Sequence, residues 1–139
     1  MKKANCILAL LFMFSAAIAQ KTITVPKEAQ AAFKKDYPHM KGKWEKEQQD
    51  FEVNFTQNGK KMSAVYDATG NKLESEVGIN ISGLPASVTD YIHKKYPKAK
   101  ITEAAIITKA NGEINYEAQV SGMDMIFDKD GKYLRTTND

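Results

Sequence analysis

The sequence predicts an α+β fold of two tandem repeats, each a helix followed by about four antiparallel strands, with both helices on one face of the sheet. Three observations lead there. The phrase "AAFKKDYPHMK" returns as "DYIHKKYPKAK", so Tyr37-Pro38 and Tyr96-Pro97 close two similar runs. After each phrase the spacing of apolar residues changes from about four to two. Each half then carries aromatic-Asp-x-x-Gly-x-x-Leu, as Tyr66-Asp67…Gly70…Leu73 and Phe127-Asp128…Gly131…Leu134.

Residues 1–19 stand apart from the fold. Lys2 and Lys3 precede an apolar run from Ile7 to Ile18, broken by Ser15, and Ala17-Ile18-Ala19 has the small-x-small form of a cleavage site. This is the pattern of a secretory signal peptide, too short for a transmembrane helix, with cleavage expected before Gln20. Cys6 lies before the apolar run, whereas a lipidated cysteine would follow it. It is the single cysteine of the chain, so residues 20–139 fold without a disulfide, even in an oxidising compartment. The formal charge of +3 includes Lys2 and Lys3, and the remainder is near neutral. That balance argues for neither a nucleic-acid partner nor an anionic membrane. No later apolar run is long enough to span a bilayer.

The first repeat is expected over 20–83 and the second over 84–139. Val25-Pro26 and Leu84-Pro85 open the two helices at matching positions. Proline suits the first helical position, where its missing N–H would be unpaired anyway. Ala29, Phe33 and Tyr37 recur on one face of the first helix, and Leu84, Val88, Ile92 and Tyr96 on one face of the second. Lys27, Gln30, Lys34 and Lys35 fall opposite, as do Thr89, Asp90, His93 and Lys94. Pro38 and Pro97 push the preceding tyrosines out of helical geometry and end each helix. Lysines in the last turn also suit the negative end of the helix dipole.

Strands follow. The first of each half is expected around Trp44 to Gln48 and Ile101 to Thr108. "DFEVNFT" sets Phe51, Val53 and Phe55 against Glu52 and Asn54. "INYEAQV" sets Ile114, Tyr116, Ala118 and Val120 against Asn115, Glu117 and Gln119. Both alternations are those of half-buried antiparallel strands. Gln57-Asn58-Gly59 and Ser121-Gly122 supply hairpin turns. The Asp-x-x-Gly segments supply the turns after the third strands.

The run "LPASVTDYIHKKYPKAKI", "INYEAQV", "FDKDGKYL" resembles the PepSY-like, beta-lactamase-inhibitor-like family of small exported bacterial proteins. "VPKEAQAAFKKDYP", "FEVNF", "YDATGNKL" form a second, looser copy. Together they cover nearly all of residues 20–139. The resemblance implies tandem helix-plus-sheet repeats, a Gram-negative periplasm or cell surface, and no known catalysis. PepSY-type domains are suspected of binding or restraining peptidases, and inhibitors of this shape can grip a target with a concave sheet face. The family has no defining functional motif, so no residue role is carried over.

A search for chemistry finds no reaction centre. His39 follows a helix stop and His93 lies on a polar helix side, without the spacing or cysteines of a zinc site. No Gly-x-Ser-x-Gly elbow accompanies the scattered serines. Asp128 to Gly131 has the opening of a calcium loop, but Leu134 and Thr136 stand where further oxygen ligands are needed; a hairpin turn is the reading favoured. Asn54-Phe55-Thr56 and Asn80-Ile81-Ser82 match a glycosylation acceptor, both within expected strands. Trp44 is either an exposed anchor or a cap on the core, the commoner outcome. No catalytic residue, metal ligand or cofactor is assigned.

The informative distribution is by face. Glu52, Asn54, Glu74, Glu76, Asn115, Glu117, Gln119 and Asp124 are expected on the sheet face away from the helices. Lys27, Lys34, Lys35, Lys94, Lys95 and Lys98 are expected on the outer helix faces. The bland reading is two solvated faces. The sharper one is that Glu52, Asn54, Glu74, Glu76, Glu117, Gln119 and Asp124 dock a basic or polar envelope or secreted partner, with Tyr66, Val65 and Ile126 adding apolar contacts if they border that face. The sequence therefore points to a non-catalytic exported binding module, periplasmic before secreted or surface-exposed, that binds or inhibits a peptidase or envelope protein. The alternative is a periplasmic sensor or carrier of a small ligand or cation.

Overall fold

The computed structural model describes residues 23–138; the leader expected over 1–19 lies outside the described residues. Helix α1 spans Lys27–Asp36 and is followed by strands β1 (Lys43–Glu47), β2 (Asp50–Gln57), β3 (Lys60–Tyr66) and β4 (Lys72–Ile79). A 3-10 turn, Ile81–Gly83, leads into α2 (Ala86–Lys95), then β5 (Ile101–Lys109), β6 (Ile114–Val120), β7 (Met123–Asp128) and β8 (Tyr133–Asn138). All eight strands form one sheet in sequential order, each neighbour antiparallel. None of the described helices is long and apolar enough to cross a membrane.

The repeated phrase is a repeated piece of geometry. Pro26 and Pro85 take φ −55 and −54 and cap the helices, one position earlier than expected; their carbonyls accept from Gln30 and Val88 N–H. At the other end Tyr37 and Tyr96 leave helical geometry at φ −130 and −132, each N–H still donating to the Phe33 or Ile92 carbonyl. The following prolines enforce that exit.

Each helix covers its own half of the sheet. Ala29 and Phe33 pack with Val53, Phe55, Ala64 and Tyr66, joined by Tyr37 and a partly buried Trp44 whose ring meets Phe33 edge-on. Leu84, Val88 and Ile92 pack with Ala104, Ala118, Val120, Met125 and Phe127. There are thus two apolar clusters under one continuous sheet. Phe51 and Tyr116 hold matching ladder positions: each is paired with the aromatic before Asp-x-x-Gly, Tyr66 and Phe127.

The Asp-x-x-Gly loops are built alike. Asp67 Oδ1 accepts the N–H of Thr69 and Asn71, and Asp128 Oδ1 accepts those of Asp130 and Lys132. Gly70 and Gly131 follow with φ +87 and +79, a region where glycine is at no disadvantage. Both loops dock on the first turn of their own helix. A Cβ on Gly70 would meet the Glu28 carbonyl, and one on Gly131 the Ser87 hydroxyl, which donates to the Asp130 carbonyl at 3.2 Å. Asn58-Gly59 and Ser121-Gly122 turn their hairpins with positive φ at both positions, as a two-residue turn requires.

Candidate functional site: the open face of the sheet

Because side chains alternate along a strand, the face turned from the helices follows directly from the register. One row across it reads Glu45, Glu52, Val65, Glu74, Lys109. The next reads Asn54, Ser63, Glu76, Ile107, Asn115, Asp128. A third reads Gly78, Ala105, Glu117, Ile126, Arg135, and a fourth Glu103, Gln119, Asp124, Thr137. Glu52, Asn54, Glu74, Glu76, Glu117, Gln119 and Asp124 all lie here, and all line one broad cleft of about 1570 Å³. The exposed lysines of α1 and α2, Lys34, Lys35, Lys94 and Lys95 among them, stand on the opposite side of the molecule.

The face is not simply acidic and wet. Val65, Ala105, Ile107 and Ile126 form its floor and are 8%, 4%, 4% and 2% exposed although no helix covers them. Glu52 and Glu74 stand on either side of Val65 in the register, both half-buried. Asn115 and Asp124 are buried too, against the expectation of an open polar surface. Sequence reading missed Ala105 and Ile107. They sit in "ITEAAIITK", where apolar residues occupy both faces and no alternation marks which side is which.

Two expectations change. Tyr66 does not border this face: it faces the helices, fully buried, and its hydroxyl donates to Asp36 Oδ2 at 2.9 Å. Burial first, then that carboxylate, holds its pKa above the usual tyrosine range. Asn80 lies outside β4 and caps the 3-10 turn, whereas Asn54 is in a strand as expected. Val65 and Ile126, the other two residues considered for it, do border the open face.

Several polar groups here already have partners. Lys61 Nζ meets Glu103 Oε1 at 2.8 Å, and Lys43 meets Glu45 at 2.7 Å. Gln119 Oε1 accepts from the Thr102 hydroxyl at 2.9 Å. Glu45 and Glu52 stand directly opposite each other, and Lys43 supplies this like-charge pair with a cationic neighbour through Glu45. Among the described residues no group of three or more His, Cys, Asp or Glu side chains is placed to hold a metal ion. Chemically the face offers a broad cleft lined by carboxylates and amides, with Lys46, Lys60, Lys61 and Arg135 among them, over an apolar floor.

Comparison with known proteins fits this architecture. The profile of the family described as "Putative beta-lactamase-inhibitor-like, PepSY-like" matches twice, over residues 16–74 and 49–135. No curated protein matches the chain. Among solved structures, a protein of Bacteroides eggerthii described as putative periplasmic is similar at TM-score 0.69 and 18% identity, over 84% of this chain and 90% of that one. A BLIP-like protein of Bacteroides fragilis is similar at TM-score 0.58 and 23% identity, over 84% and 88%. At these identities the likeness is one of fold.

Proposed function

Because the chain belongs to the PepSY-like, beta-lactamase-inhibitor-like family, we propose that it is a non-catalytic exported protein that works by binding, with the open sheet face as its docking surface. The observation that carries this reading is the asymmetry of the sheet. One face is closed by two helices, and the other presents a continuous cleft from β1 to β8 with carboxylates above an apolar floor. Buried apolar contacts ringed by polar groups are what a protein interface uses. The partner is a secreted or envelope protein, a peptidase among the candidates, and the compartment is the periplasm. The family description supports the inhibitor-like reading, and the similar Bacteroides eggerthii structure, described as a putative periplasmic protein, supports the compartment.

Cross-linking from within the cleft tests the reading. A photo-reactive residue at Glu52 or Glu117 should join residues 20–139 to a protein from a periplasmic extract, and one at Lys34 or Lys94 should not. Cross-links formed only from the lysine positions would place the interface on the helices. Binding of a small ligand or cation with no protein target would support the sensor or carrier alternative.

A further inference from the structure

The sheet ends in two edges, and they are not alike. Among the described residues β1 pairs only with β2, and β8 only with β7. β1 is blunted in the manner of a guarded edge. It reads Lys-Trp-Glu-Lys-Glu, Lys43 holds Glu45 at 2.7 Å, and the strand stops at Gln48 with φ +51. β8 carries none of these devices. It reads Tyr133-Leu134-Arg135-Thr136-Thr137-Asn138, with aromatic and β-branched residues that suit a strand and a single charge.

The first repeat shows what such an edge holds. β4 and β8 are equivalent strands. Glu74 stands opposite Val65 and Arg135 opposite Ile126, each beside a register shift at the aromatic that precedes Asp-x-x-Gly. The outer side of β4 is taken by β5, which sets Lys109 opposite Glu74. Just beyond that pair the Ala110 N–H donates to the Leu73 carbonyl at 2.7 Å. On β8 the matching places are bare. Leu73 is half-buried, whereas Leu134 is 44% exposed. Glu74 is half-buried, whereas Arg135 is exposed. Arg135 is the single arginine of the chain, and it has no ion pair among the described residues.

We propose that the free edge of β8 accepts an extended segment of a partner protein, added antiparallel as β5 is added to β4, with a carboxylate opposite Arg135. The carboxylate is the charge-reversed counterpart of Lys109 opposite Glu74. Backbone hydrogen bonds supply the attachment, and side chains choose the segment. Opposite charges directly across a strand pair favour one register, and an arginine can engage a carboxylate through two parallel hydrogen bonds. A small apolar residue after the carboxylate, in the place of Ala110, covers Leu134. A second copy of the chain is a poorer occupant: its β8 offers no carboxylate, and Glu45 of its β1 is already held by Lys43. The inference goes beyond the docking reading, because a strand added at β8 and a body held in the cleft are separate contacts.

The test is an amide NMR titration of residues 20–139 with two synthetic peptides of residues 102–111, one carrying Lys109→Glu and one with the natural Lys109. The Lys109→Glu peptide should shift the amide signals of Leu134 to Asn138 and slow their hydrogen exchange. It should bind several-fold more tightly than the natural peptide, with the difference shrinking as salt rises. Arg135→Glu, a change at an exposed position, should abolish or reverse that preference. Equal binding of the two peptides, a preference that survives Arg135→Glu, or no change at β8 with peptide in millimolar excess overturns the inference. Shifts confined to the cleft and lost in Glu52→Lys/Glu117→Lys overturn it while leaving the docking reading standing. Protection of β8 amides that grows with protein concentration in the absence of peptide gives the edge to a second copy, and overturns it as well.

Discussion

Tyr66 and Asp36 are joined by a 2.9 Å hydrogen bond that ties the end of β3 to the last residue of α1. The second repeat places Phe127 and Lys95 at these points and does without the bond. Lys72 reaches the same Asp36 oxygen at 3.2 Å, so the carboxylate keeps a partner if the phenol is lost. Tyr66→Phe should therefore fold and lose about 1.5 kcal/mol, the scale of one hydrogen bond to a charged group. The pH dependence has a definite sign. The folded-state pKa lies above the ordinary value of 10.0, so the contribution is complete below pH 10 and is lost as pH rises beyond it. Denaturation midpoints across alkaline pH should fall more steeply for the wild type than for Tyr66→Phe.

Asp67 gives the opposite sign. Hydrogen bonds from the Asn71 side chain, then from Thr69 and the Asn71 backbone, lower its pKa from 3.8 to about 2. Its contribution is present above pH 3.8 and disappears as pH falls toward 2. Asn71→Ala should flatten this acid-side loss in urea midpoints. A variant with the wild-type acid profile would show that the loop bonds do not set the titration.

Gly70 and Gly131 should differ when replaced by alanine, although their φ angles agree. Both substitutions carry the left-handed penalty of about 1–2 kcal/mol. The new methyl at Gly131 meets the Ser87 hydroxyl, a side-chain atom that can rotate away. At Gly70 it meets the Glu28 carbonyl oxygen at 2.8 Å, which belongs to the helix backbone and has no such freedom. Gly70→Ala should be the more destabilising in thermal unfolding, and the reverse order would contradict the docking of loop on helix.

The repeat was legible in the sequence because the residues that punctuate it are chemically restricted. Tyr37-Pro38, Tyr96-Pro97, Asn58-Gly59 and the two Asp-x-x-Gly loops each admit few conformations, and each fell where expected. The polar members of the open face were legible through period-two alternation in β2 and β6. Its floor was not, since in "ITEAAIITK" both faces are apolar and only the register of β5 against β4 and β6 assigns Ala105 and Ile107 outward. Tyr66 was misplaced for a related reason: "SAVY" buries four consecutive residues, and alternation cannot tell which face a tyrosine takes. The Lys61–Glu103 contact joins residues distant in sequence and leaves no local signal.

The central claim is that the open face, not the helix face, holds the partner. The direct measurement compares two charge reversals in quantitative capture from a periplasmic extract, at low and high salt. Glu52→Lys/Glu117→Lys should still fold, at a cost of about 1 kcal/mol because both positions are half-buried. It should weaken capture and leave what remains insensitive to salt, because the screened attraction is gone. Lys34→Glu/Lys94→Glu should fold equally well and bind as the wild type does. Capture abolished by the helix reversal and untouched by the sheet reversal would contradict the account.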